Sequence, residues 1–167
     1  MTLAWHSIKA TDFGELFVEL VTDVGGYEDV QWLTHTNARG LSRTLSATRR
    51  RDDPLVGTIY ERVIIQFRHW PAKSIGEREL AKACAKMSLW RASHAHVMVV
   101  VTSGTFTSNA MLWTQSHNAA GKHPRLELCA DHHLEKLLAK RRGLADRYNL
   151  RGKSGTRGKS STRGKRD

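Results

Sequence analysis

Apolar positions recur with two periods along this chain, and the switches between them predict a mixed α/β order. Over 12–24, Phe13, Leu16, Phe17, Leu20 and Val21 fall at helical spacing and give one apolar face. Thr11 or Asp12 can cap this helix, Glu15 follows Asp12 by three as a capping box requires, and Gly25-Gly26 stops it. Residues 29–34 read as a short strand, 36–42 as polar irregular chain, and 43–48 as a second strand. A charged turn over 49–57 carries Pro54 and Gly57. The strand of 59–66 then returns around β-branched Val63, Ile64 and Ile65, so the two strands make a long hairpin that ends in Gln66-Phe67-Arg68.

The second half alternates helix and strand. Leu80, Ala83, Cys84, Met87 and Trp90 stripe a helix over 77–91. The unbroken apolar run Val97-Met-Val-Val-Val101 predicts an interior strand covered on both faces. The hydroxyl-rich segment 102–110 leads into another helix, 125–129 alternate as a strand, and Asp131 caps a last helix with Leu134, Leu137 and Leu138 inward.

Candidate chemistry gathers at the hairpin end. Side chains alternate across a strand, so Gln66 and Arg68 share a face, roughly 6–7 Å apart, and Phe67 points into the core. An amide oxygen and a cation so placed can hold a divalent metal and a phosphate oxygen together; a plain polar strand end has the same spacing. Trp70 either covers the core edge or stacks on a base. Thr107 or Ser108 is either part of an anion site at a helix start or an N-cap. Lys82, Lys86 and Arg91 form a basic flank on their helix, a solvated face or a DNA-backbone contact.

Gln66-Phe-Arg-His-Trp70, a helix, Val97-Met-Val-Val-Val-Thr-Ser-Gly-Thr-Phe-Thr107 with Ala110, and His133-Leu-Glu135 with Leu137-Leu138 follow in order. This succession resembles the Mrr-like restriction endonuclease family of the PD-(D/E)xK nuclease superfamily over most of residues 10–151. The resemblance implies a restriction-endonuclease-like core of helix, three-strand hairpin sheet, helix and strand, with a C-terminal helix-strand-helix. It implies a DNA endonuclease that hydrolyses phosphodiester bonds with Mg²⁺, in defence against foreign or modified DNA. Gln66 and Glu15 would be metal ligands, with Glu19 the second choice on the first helix. His69, Trp70, Arg43, Lys73 and Thr107 would contact DNA.

Two positions depart from the family pattern. Thr44 stands where the main metal-binding aspartate belongs, and a neutral hydroxyl is a poor magnesium ligand beside a carboxylate. Arg68 replaces a lysine; it can clamp a phosphate in two-point fashion but cannot readily deprotonate. Asp52 and Asp53 lie toward the turn, roughly 25 Å along the strand, too far to substitute. An alternative is therefore a nuclease fold that binds DNA with hydrolysis impaired. A third is a basic RNA-binding accessory protein.

Charge adds a polyanionic partner. The 167 residues carry a formal net charge of +11. Residues 151–167 repeat Arg-Gly-Lys-Ser-Gly-Thr, hold seven basic residues against one aspartate and lack any apolar side chain, which predicts a disordered basic tail. One domain over 1–150 precedes it. No apolar run reaches the ~20 residues that span a bilayer, and the start of the chain does not read as a secretory leader. Cys84 and Cys129 sit in apolar settings without metal-ligand spacing, as expected of reduced thiols in the cytoplasm. Oligomeric state is open, a homodimer included.

Overall fold

The computed structural model describes residues 2–33, 43–89 and 95–152. Most of the basic tail, the polar stretch 36–42 and the end of the 77–91 helix lie outside the described residues. Helix α1 (Ala10–Val24) is followed by strands β1 (Tyr27–Trp32), β2 (Arg43–Asp53) and β3 (Gly57–Arg68). The two-residue strand β4 (Ser74–Ile75), α2 (Glu77–Leu89), β5 (Val97–Thr102) and the short β6 (Thr105–Phe106) come next. Helix α3 (Ser108–Ala119), β7 (Arg125–Cys129), α4 (Asp131–Ala139) and α5 (Arg142–Arg147) complete the order.

Five strands form one sheet in the order β1-β2-β3-β5-β7. The β1/β2 and β2/β3 pairs are antiparallel; β3/β5 and β5/β7 are parallel, joined through α2 and α3. Strand β3 is central, and residues 63–67 are all buried. Alternation divides them between two cores. Val63, Ile65 and Phe67 meet α1, α4 and α5; Ile64 joins Leu80, Ala83 and Met87 of α2 and Ala110 of α3. Phe67 contacts Phe13, Phe17 and Trp32, with ring centroids 5.5–6.0 Å apart.

Strands β4 and β6 tie the loop after β3 to the loop after β5. Gly104 lies at the crossing. A Cβ there would sit 2.2 Å from the Lys73 carbonyl oxygen and 2.4 Å from that of Trp70, so only glycine permits this approach.

Several local expectations are corrected. Helix α1 begins at Ala10 with Lys9 as N-cap and no side-chain cap, so Asp12 and Glu15 form no capping box. Helix α4 is not the last, and its N-cap is Ala130, whose N–H is accepted by His133 Nδ1 at 3.1 Å. The segment 49–53, expected as turn, is strand: β2 and β3 pair in register to Asp53 opposite Gly57. The true turn is capped by Asp53, whose carboxylate accepts from the Leu55 and Val56 N–H groups. The hairpin thus extends past the last pairings with β1 and β5 as an arm, with Leu55 and Val56 exposed at its tip.

Candidate functional site

The hairpin register sets Thr44 directly opposite Gln66. Both side chains face α2, where Ala83, Lys86 and Met87 close a cavity of about 20 Å³ over them. Gln66 is only 8% exposed. Such a cavity has room for roughly one water molecule. Two residues further along β3, Arg68 lies on the same face but is half-buried and reaches the strand's open end. Its guanidinium lies 5.0 Å from the centre of the Trp70 ring, and Lys73 Nζ lies 6.0 Å from the same ring. One aromatic surface therefore holds two cations beside the strand terminus.

Burial lowers the Arg68 pKa below the ordinary arginine value, while the negative charge of Glu79 opposes the shift. The guanidinium stays charged, since arginine is not deprotonated in proteins. Glu79 Oε2 accepts the Gly76 N–H at 3.0 Å at the start of α2. Among the described residues, Arg68 makes no ion pair, whereas Arg49, Arg125, Arg141, Arg147 and Arg151 all do.

Helix α1 and the face bearing Gln66 lie on opposite sides of the sheet. Glu15 is exposed on α1 and acts electrostatically on Tyr148 of the C-terminal segment. Glu19 accepts from the Tyr148 hydroxyl at 2.7 Å and pairs with Arg147. Gln66 and either glutamate are therefore not brought together. His69 also leaves the phosphate face: its Nε2 donates to the Ile8 carbonyl at 2.9 Å, and its ring lies 5.0 Å from Phe13. Burial lowers its pKa below the ordinary histidine value, against the hydrogen bond to Ile8, which raises it. The Thr107 hydroxyl accepts the Ala110 N–H at 3.1 Å as the N-cap of α3, and Arg43 pairs with Phe67 across the hairpin. Trp70 is half-buried against the α2-side core, so it combines core cover with support of Arg68.

The Mrr_cat family model, a restriction endonuclease domain, matches residues 5–138. The chain belongs to the restriction endonuclease family. Among solved structures, this restriction endonuclease domain is similar to the MspJI restriction endonuclease in complex with a 27-mer oligonucleotide. The two share 16% sequence identity at a TM-score of 0.46, over 82% of this chain and 32% of that one. The chain thus spans about a third of that protein's length. No curated protein matches it.

Restriction endonucleases generally use divalent metals. The donors here do not fit one. Of the 16 side-chain carboxylates, only Asp167 lies outside the described residues. The Thr44–Gln66 cavity is lined by Thr44, Gln66, Ala83, Lys86 and Met87, without a carboxylate. Magnesium favours charged oxygen ligands and keeps several waters, and Lys86 adds a repelling charge. Among the described residues, no cluster of three or more His, Cys, Asp or Glu is placed to hold a metal.

Sequence reasoning overlooked two features of this restriction endonuclease domain. Glu79 is the acidic neighbour of Arg68, and its signal was the acidic residue three after Gly76, the half of a capping box that the helix start displays. The second is an open groove on the same hairpin face, beyond the end of α2, lined by Ser46, Thr48, Tyr60, Arg62 and residues of β1. Hairpin pairing alone would have placed those side chains on one face.

Proposed function

We propose that this domain binds the phosphodiester backbone of DNA at the open end of the β2–β3 hairpin and does not assemble a metal-dependent hydrolytic centre. The carrying observation is Arg68, a half-buried guanidinium stacked beside Trp70 and without an ion pair among the described residues. A partly desolvated cation whose acidic neighbour, Glu79, makes no direct ion pair with it is costly, and a bound phosphate supplies two parallel acceptors for it. Lys73, on the same ring, adds a second positive contact. The net charge of +11 supports DNA as the polyanion. Thr44 and the closed cavity around Gln66 argue against hydrolysis.

A second reading is a Mg²⁺-dependent endonuclease that restricts foreign or modified DNA in the cytoplasm. Family membership favours it. Incubating the full chain with supercoiled plasmid and Mg²⁺ or Mn²⁺ separates the two. The first reading expects gel retardation without nicking at full occupancy, with retardation weakened by Arg68→Ala. Metal-dependent nicking that Arg68→Ala abolishes would establish the second reading and overturn the first.

A further inference from the structure

The hairpin face bearing Thr44 and Gln66 continues past α2 as an open groove of about 490 Å³. We propose that it takes an unpaired DNA nucleotide, with the base on Tyr60 and the phosphate on Arg62. This rests on the reading of Arg68 as a DNA-phosphate site for the class of ligand, but it uses different residues.

The first argument is the platform. Tyr60 is 57% exposed on the outer part of this hairpin face, where no helix among the described residues packs, and aromatic rings so displayed take the flat face of any base. Arg62 is exposed on the same face of β3, roughly 6–7 Å further along. His96 sits beside it and accepts the Arg62 backbone N–H through Nδ1 at 2.9 Å, which fixes the wall of the groove.

The second argument is the set of uncommitted polar groups. Ser46 and Thr48 supply hydroxyls from β2, and Asp29 and Gln31 supply a carboxylate and an amide from β1. A bulge in β1 between Glu28 and Gln31, with Asp29 at φ 51°, shapes that wall. These four side chains make no hydrogen bond or ion pair to other described residues. Donors and acceptors mixed in this way suit the edge of a base, whose own groups are already paired in a duplex. The Asp29 carboxylate can accept an N–H from the edge of a base, such as the N3–H of thymine.

The third argument is continuity. Arg62 and Arg68 point from one face of β3, roughly 20 Å apart, and Lys86 of α2 borders the Gln66 cavity on that face. The β3 face between the two arginines is roofed by α2, so a single strand that reached both would cross over α2 beside the exposed Lys86.

The test uses fluorescence anisotropy of the full chain with a labelled oligo-dT and with a duplex of equal length. Tyr60→Ala is expected to weaken oligo-dT binding about tenfold, the range of one base–aromatic stack, and duplex binding less than about twofold. Tyr60→Phe should bind oligo-dT like the unaltered protein. Ser46→Trp, which fills the groove floor, should reproduce the loss by another route. Oligo-dT affinity unchanged in both Tyr60→Ala and Ser46→Trp would overturn the proposal, as would equal losses for single strand and duplex. Arg68→Ala separates the two readings. If it leaves duplex affinity intact while Tyr60→Ala still weakens oligo-dT, the Arg68 site fails and the groove stands.

Discussion

Glu61 of β3 joins an ion-pair network that ties β2, β3 and β7 together. Its carboxylate, 11% exposed, accepts from Arg49 at 2.8 Å and Arg125 at 3.3 Å, and Arg49 reaches on to Glu127 at 2.7 Å. Burial alone would raise the Glu61 pKa, but the two arginines override it and hold the group below the ordinary carboxylate value. At Glu127 the hydrogen bond from Arg49 is the main cause of the same downward shift. A carboxylate whose folded pKa is depressed stabilises the fold above its unfolded pKa, and that stability disappears as pH falls through the folded value. Glu61→Ala should therefore cost about 2 kcal/mol in urea unfolding at neutral pH, because it strips a half-buried Arg49 of one partner. The gap from the unaltered protein should shrink as pH falls below about 5. A gap that stays constant across that range would show that the network does not titrate with the fold.

At the scale of elements, the crossing at Gly104 positions the site. The Trp70–Lys73 segment is held against it, and Trp70 in turn carries Arg68. Gly104→Ala must push one backbone away from the other. The expected result is a lower melting temperature together with weaker retardation of duplex DNA. Melting lowered with DNA affinity unchanged would detach the loop from the site. The helices and inner strands were legible in the sequence because their apolar spacing is dense: Phe13 to Val21, Val63 to Ile65 and Val97 to Val101 admit few alternatives. The outer half of β2 was not. Arg49, Arg50, Arg51 and Asp52 look like a turn because their strand leaves the helical layers and needs no apolar side. Helix α5 escaped for a related reason: Ala145 is its one buried residue among six. For the site, strand alternation was enough to put Gln66 and Arg68 on one face. It could not say which helix covers that face, so the roof of Ala83, Lys86 and Met87 and the separation from Glu15 were out of its reach.

At the scale of the whole molecule, positive charge is spread between the folded part and the tail. Residues 153–167 hold six basic residues against Asp167. Deleting them should flatten the slope of DNA affinity against salt, since fewer counterions are released from the backbone. An unchanged slope would remove the tail from DNA binding. Folding should survive the deletion, because the last core residue, Leu150, precedes the cut and its carbonyl accepts the Ala4 N–H at 2.7 Å. Glu135 adds to this closure by accepting from the Leu3 N–H and Trp5 Nε1. No helix among the described residues is long and apolar enough to cross a membrane. The projecting arm bears on handling at high concentration. Past Arg50 and before Arg62 its two strands pair only with each other among the described residues, so both outer rims offer amide and carbonyl groups to a neighbouring molecule. Arg51 and Asp52 act as charged guards along those rims. Neutralising them should promote self-association through strand addition, led by the exposed tip at Leu55 and Val56 and read as a rise in apparent mass with concentration.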